Sequence, residues 1–262
     1  MNSTSLPLTS PATSLRVALL QLDTAWMQAE ANIAQAERLM TEVEAADLYI
    51  LPEMWATGFT MSPDELTRRE SDKAARWMQH TATCRQCAVM GSLPVCEADG
   101  HTWHNRLLCC LPDGSTTHYD KRHLFAYSGE HTHYAAGHEA VQVQLHGLTL
   151  QVQICFDLRF PETSRNTLAA PYDVLIYVAN WPTSRIAAWT ALLQARAIEN
   201  QALTLGVNRT GTDPACTYPG CSAAFDAYGR TLCSLDNKAQ ARLLCIDLSR
   251  QHHLRQVFPV LR

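Results

Sequence analysis

Three residues of this 262-residue chain combine the side-chain types needed for nucleophilic catalysis. A cysteine thiol can attack an electrophilic carbon, a glutamate can move protons, and a lysine ammonium can face developing negative charge. Cys155 ends the apolar run L-T-L-Q-V-Q-I-C and is followed by F-D-L-R-F-P. A strand that stops there projects its last side chain into a cleft, as in a nucleophile elbow, although the glycines of G-x-S-x-G are missing. Glu53 follows the short apolar segment Leu48–Leu51 and precedes M-W-A-T-G-F, a costly setting for a charge unless it is paired. Lys121 stands at the end of another apolar segment, in H-Y-D-K-R-H-L-F. Taken singly, each has a plain structural explanation: a buried thiol, a solvated turn, a solvated strand-end lysine.

Taken together, the three segments resemble the nitrilase superfamily, the carbon–nitrogen hydrolases. L-P-E-M-W-A-T-G-F, Y-D-K-R-H-L-F and C-F-D-L-R-F-P-E occur in that family's order, followed by A-N-W-P at 179–182 and Q-A-R-A-I-E-N-Q at 194–201. The likeness spans about residues 15 to 250. It implies a Glu53–Lys121–Cys155 triad and a second glutamate, Glu130 in S-G-E-H-T-H-Y, bordering the site. On that assignment Cys155 forms a thioester, Glu53 relays protons, and Lys121 with the backbone N–H of Phe156 holds the oxyanion. Glu130 keeps Lys121 charged or orients water. The motifs look like the omega-amidase branch, whose members hydrolyse the terminal amide of 2-oxoglutaramate or 2-oxosuccinamate. Such a substrate calls for cations, for which Arg159 and Arg185 are candidates, and Trp181 is a candidate pocket wall. Arg159 paired with Asp157 or a nearby acid, and Trp181 packed in the core, are the structural alternatives. A sister amidase acting on deaminated glutathione, a papain-like hydrolase using one of the eleven histidines, and a non-enzymatic binding protein on the same fold are the competing readings.

The elements that must position these residues alternate along the chain. Strands are predicted over Leu15–Leu22, Leu48–Leu51, Ala88–Val95, 103–111 and 116–124, with helices over about 27–46 and Pro63–Cys84. A hairpin turning at His146-Gly147 joins 141–145 to 148–154. A helix is expected to start near Pro161, because proline suits a first helical turn. The continuous apolar run 173–179 reads as a strand buried on both faces. A helix over about 184–200 and strands over 202–207, 222–226, 230–235 and 242–247 complete the pattern. Sheets that each need helices on one face and a sheet on the other describe an α/β, four-layer α-β-β-α sandwich of two mixed sheets.

Composition sets the frame. Length and 47% hydrophobic content fit one domain over 15–262 with a substantial core. The Ser/Thr/Pro-rich, uncharged residues 1–14 read as a disordered tail, native or appended, and carry no secretory or transit signature. A net charge of −4 gives no reason to expect nucleic acid or an anionic membrane, and no apolar run approaches the roughly 20 residues that span a bilayer. Ten scattered cysteines suit reduced thiols in the cytoplasm, with Cys109 and Cys110 facing opposite ways. Cys84 and Cys87 form a C-x-x-C without the second pair a zinc ribbon needs. No metal or organic cofactor is expected. The expected partner is a small amide, and the resemblance implies a homodimer or larger homo-oligomer.

Overall fold

A computed structural model describes residues 14–261; residues 1–13 of the predicted tail lie outside the described residues. The chain first lays down β1 (Leu15–Gln21), α1 (Ala29–Thr41), β2 (Leu48–Ile50), α2 (Glu65–Arg85), β3 (Ala88–Cys96), β4 (Trp103–Cys110) and β5 (Thr116–Asp120). It then forms β6 (Gln142–Leu145), β7 (Leu148–Ile154), β8 (Val174–Ala179), α3 (Ile186–Asn200) and β9 (Leu203–Asn208). The hairpin β10 (Thr210–Thr212) and β11 (Thr217–Pro219) precedes β12 (Ala223–Phe225), β13 (Thr231–Ser234), β14 (Gln240–Ile246) and α4 (Ser249–Val257).

Two six-stranded mixed sheets result, in the orders β14-β1-β2-β3-β4-β5 and β13-β12-β9-β8-β7-β6. In the first, β1, β2 and β3 are parallel; in the second, β7, β8 and β9 are parallel, and antiparallel strands flank both trios. Strand alternation explains the layers. Val17, Leu19, Ile50, Met90 and Leu107 point one way and join Val152, Ile154, Val174 and Ile176 of the second sheet in one core. Ala18, Leu20, Tyr49 and Val89 point the other way, onto Ala36 and Leu39 of α1 and Ala74 and Met78 of α2. Cys109 and Cys110 divide between these two clusters, as adjacent strand residues must. On the far side, α3 lays Trp189, Leu193 and Ala197 on the second sheet. Gly206 permits that approach, since a Cβ there would lie 2.4 Å from a Leu193 methyl. The α-β-β-α sandwich is therefore observed.

Local departures from the sequence reading have physical reasons. No α-helix begins at Pro161; Cys155–Arg159 and Pro161–Ser164 are two 3-10 turns, the second ended by Arg165 in extended conformation. The predicted strand 116–124 ends at Asp120, where the backbone leaves the ladder and Lys121 turns inward. The hairpin β10–β11 and helix α4 were not anticipated, because each is short and α4 is largely polar. Gln251 of α4 anchors it by accepting from Leu203 N–H at 2.7 Å and donating to the Asp173 carbonyl at 2.9 Å.

Candidate active site

The topology brings four segment ends to one place. Glu53 follows β2, Cys155 follows β7 and Asn180 follows β8, so all three leave the carboxyl ends of parallel strands. β5 is antiparallel to β4, itself antiparallel to β3, so β5 runs in the sense of β3 and delivers Lys121 to the same end.

Glu53, Lys121 and Glu130 are fully buried and form one ionic cluster. The Lys121 ammonium donates to Glu53 Oε1 at 2.8 Å and to Glu130 Oε1 and Oε2 at 3.0 and 2.9 Å. Burial by itself would lower the Lys121 pKa, but the carboxylates of Glu130 and then Glu53 outweigh it and hold the ammonium well above its ordinary value. Burial, countered by Lys121 and reinforced by Glu53, leaves Glu130 raised. A solvated turn for Glu53 and a solvated end for Lys121 are thus excluded by position.

Two asparagines complete the polar framework. Asn105 donates through Nδ2 to Glu53 Oε1 at 2.7 Å and Glu130 Oε1 at 3.0 Å, and its Oδ1 accepts from the Ser92 hydroxyl at 2.8 Å. The backbone N–H of Asn180 donates to Glu53 Oε2 at 2.8 Å, and its Nδ2 to the Glu53 carbonyl at 2.8 Å. The Phe125 N–H reaches Glu130 Oε2 at 2.6 Å. Neither asparagine was assigned a role from sequence. Asn105 left a signal: along β4, Trp103, Asn105, Leu107 and Cys109 occupy the buried alternate positions, and a polar residue there demands partners.

Cys155 is 9% exposed and opens onto a cleft of about 360 Å³. Burial, then the neighbouring Glu53 carboxylate, push its thiol well above the ordinary value, with Lys121 opposing. Its φ is +45°, in the left-handed region, at a cost of about 1–3 kcal/mol for a residue with a Cβ. Such strain persists where the surroundings over-determine the backbone and is frequent at reactive positions.

The cleft walls are largely aromatic, with Phe59, Phe125, Phe156, Trp181 and Tyr218 around Cys155. Arg159 and Arg185 both line it. The Arg159 guanidinium lies over the Trp181 ring at 5.2 Å, and that of Arg185 over Phe125 at 5.1 Å. Arg159 does not take up the alternative pairing with Asp157, whose oxygens bind Tyr119, His123 and the Ile154 N–H instead. Trp181 satisfies both of its readings: it is 3% exposed, packs on Trp189 at 5.4 Å, and still walls the cleft. Its indole N–H donates to the Arg185 carbonyl at 2.8 Å, linking wall to cation. The loop between β10 and β11 forms the rim opposite, where Asp213 accepts from the Tyr218 hydroxyl at 2.7 Å. This arrangement supplies a thiol, a carboxylate, a shielded cation and two guanidinium groups around one small chamber.

Known proteins share this architecture. Residues 16–255 match the carbon–nitrogen hydrolase family model. The chain is 40% identical over 237 residues to the omega-amidase YafV of Yersinia enterocolitica, covering 90% of each chain. It is 30% identical over 246 residues to the 2-oxoglutaramate amidase of Bacillus subtilis, covering 93% of this chain and 95% of that one. Among solved structures, XC1258 of Xanthomonas campestris, described as a CN-hydrolase superfamily protein with an arsenic adduct in its active site, superposes with a TM-score of 0.86 at 34% identity. That match covers 94% of this chain and 95% of the other. By fold and by sequence, this chain belongs to the carbon–nitrogen hydrolase family.

Proposed function

We propose that the protein is an omega-amidase that hydrolyses the terminal amide of 2-oxo acids such as 2-oxoglutaramate and 2-oxosuccinamate, using Cys155 as nucleophile. The observation that carries this reading is the Lys121 ammonium clamped between Glu53 and Glu130 behind a strained thiol that itself opens onto a cleft lined by two arginines. The similarity to omega-amidase and 2-oxoglutaramate amidase supports the substrate class.

The hydrogen bonds suggest a division of labour within Glu53. Oε1 accepts from both Lys121 and Asn105, whereas Oε2 accepts from the Asn180 N–H. Oε2 therefore keeps a lone pair for the Cys155 proton. As Sγ bonds to the amide carbon, that proton passes to Glu53, and the carbonyl electron pair moves onto oxygen. The oxyanion faces Lys121 and the Phe156 N–H, where one donor is worth about 2.7–4 kcal/mol. Opening a single Glu130 contact frees an ammonium N–H for it. Glu53 then protonates the departing nitrogen, the carbon–nitrogen bond breaks, and ammonia leaves a thioester on Cys155. Water gives a proton to Glu53 and attacks the thioester; the carbon–sulfur bond breaks, the proton returns to sulfur, and the 2-oxo dicarboxylate departs. Arg159 and Arg185 hold the substrate's distal carboxylate by charge-assisted hydrogen bonds.

We further propose a single hydrolase domain over residues 15–262 that works in the cytoplasm as a homodimer or larger homo-oligomer. Exposed Ile198, Val257 and Phe258 support an apolar face covered by another copy. No helix among the described residues is long and apolar enough to cross a membrane.

Ammonia release from a panel of omega-amides, with Cys155→Ala as the blank, tests the activity. Turnover of 2-oxoglutaramate by the parent alone is the expected result, with a thioester mass shift on Cys155 when the reaction is trapped. Equal release by parent and blank on every amide defeats the hydrolase reading, and a strong preference for deaminated glutathione defeats the substrate assignment.

A further inference from the structure

The proposed chemistry leaves a fully buried carboxylate, Asp157, without a task. It lies two residues beyond Cys155 and collects four contacts from three segments. Oδ2 accepts from the Tyr119 hydroxyl at 2.8 Å and from the Ile154 N–H at 3.0 Å. Oδ1 accepts from the His123 N–H at 2.9 Å and lies 2.9 Å from the His123 ring Nδ1. The arrangement of donors is specific: Tyr119 and His123 bracket Lys121 at two residues on either side, and Ile154 immediately precedes Cys155. One carboxylate thus ties the segment bearing the cation, from the first sheet, to the turn bearing the thiol, from the second.

The contacts are directional. The bond to Ile154 N–H is the reach-back half of a capping box, which fixes the chain as it leaves β7. Cys155 then adopts φ +45°, a conformation it would leave if the turn relaxed. His123 is held from its other face by Phe160, stacked at 3.7 Å and 9° from parallel, and Phe160 donates its N–H to the Asp157 carbonyl at 3.0 Å. Burial, with the carboxylate alongside, pushes the Tyr119 hydroxyl up, so it stays a donor. An amide in place of the carboxylate has one acceptor oxygen and turns an NH2 toward two of these donors.

We infer that Asp157 is a positioning residue that sets the placement of Cys155 relative to Lys121 by forcing the left-handed turn at the thiol and anchoring both flanks of the lysine. The inference rests on the roles proposed above for those two residues.

The test has two arms. In the first, heat stability is measured for Cys155→Ala and Cys155→Gly, each with and without Asp157→Asn. Glycine tolerates positive φ and alanine does not, so Cys155→Gly is expected to melt higher than Cys155→Ala while Asp157 is present. That difference should vanish once Asp157→Asn is added; a purely structural role lowers both midpoints equally and leaves the difference intact, which overturns the proposal. In the second arm, Asp157→Asn is expected to lower kcat for 2-oxoglutaramate by about 10²-fold, the order expected for a misplaced reacting group, with KM nearly unchanged. Tyr119→Phe removes one donor, keeps the carboxylate, and should lose less. If Asp157→Asn fails to fold, Tyr119→Phe combined with the two Cys155 variants decides the matter in its place. Unchanged kcat in the folded variants overturns the proposal. The first arm needs no turnover, so it is unaffected if the substrate assignment fails.

Discussion

Replacing Lys121 with methionine keeps an unbranched apolar stem out to Cε while deleting the ammonium between two buried carboxylates. In the parent, all three residues are fully buried and the ammonium reaches both partners within 3.0 Å. Removing one member of a buried ion pair costs about 3–5 kcal/mol, because the remaining charge is left without compensation. At about 2–4 °C per kcal/mol for a chain of this size, the melting midpoint should fall by about 6–20 °C at neutral pH. The sign of the pH dependence follows from Glu130, whose pKa is already raised by burial and, against Lys121, by Glu53. Without the ammonium one carboxyl must rise further. A carboxyl whose folded pKa exceeds its unfolded value of about 4.3 is fully stabilising below that value and loses the contribution as pH climbs through the folded one. The deficit of Lys121→Met relative to the parent should therefore be largest near neutrality and shrink toward about pH 5. Thermal melts of both proteins at several pH values, paired with ammonia release, check this. Activity should fall by about 10²–10³-fold for a lost oxyanion donor. A variant as stable as the parent at neutral pH, with a flat difference across pH, would refute the electrostatic account. Near-normal turnover would instead favour a histidine base.

Two further outcomes are expected. Arg159→Met and Arg185→Met should each raise KM for 2-oxoglutaramate by about 10–100-fold, the equivalent of losing a hydrogen bond to a charged group, while barely altering hydrolysis of a neutral omega-amide; equal effects on both substrates in steady-state assays would remove the arginines from carboxylate binding. Asn105→Leu should destabilise by about 1–3 kcal/mol, since Ser92 and both glutamates lose a buried partner, and should lower kcat more than it raises KM. A denaturation midpoint unchanged from the parent would show that the asparagine is dispensable.

Much of this arrangement is legible in the sequence. Strands buried on both faces, such as Val174–Ala179, announce themselves as unbroken apolar runs, and two of them with intervening helices imply the layered sandwich. Glu53, Lys121 and Cys155 were conspicuous only as a set, because strand-end polar residues are common and it is their ordered motifs that are rare. Asn180 stood inside a recognised motif, yet its part is played by a backbone N–H, which sequence does not display. Asp157 is one structural alternative that the sequence offers as a partner for Arg159, two residues away. In the folded chain its oxygens are taken by donors 38, 34 and 3 residues distant. The short turns after Cys155 escaped prediction for a related reason: Pro161 permits a helix start, but the contacts of Asp157 and Phe160 settle the local path.

Glu53 and Lys121 belong to one sheet, Cys155 and Asn180 to the other, and their hydrogen bonds cross the seam between them. The geometry of this polar group is consequently bound to the interior: a methyl group added to the core that Val17 and Val152 share is expected to shift one layer against the other and disturb the group without touching a polar atom. Change is safest at exposed rim positions such as Ala215, whereas Asp213 beside it is tied in by the Tyr218 hydroxyl and by buried Arg209.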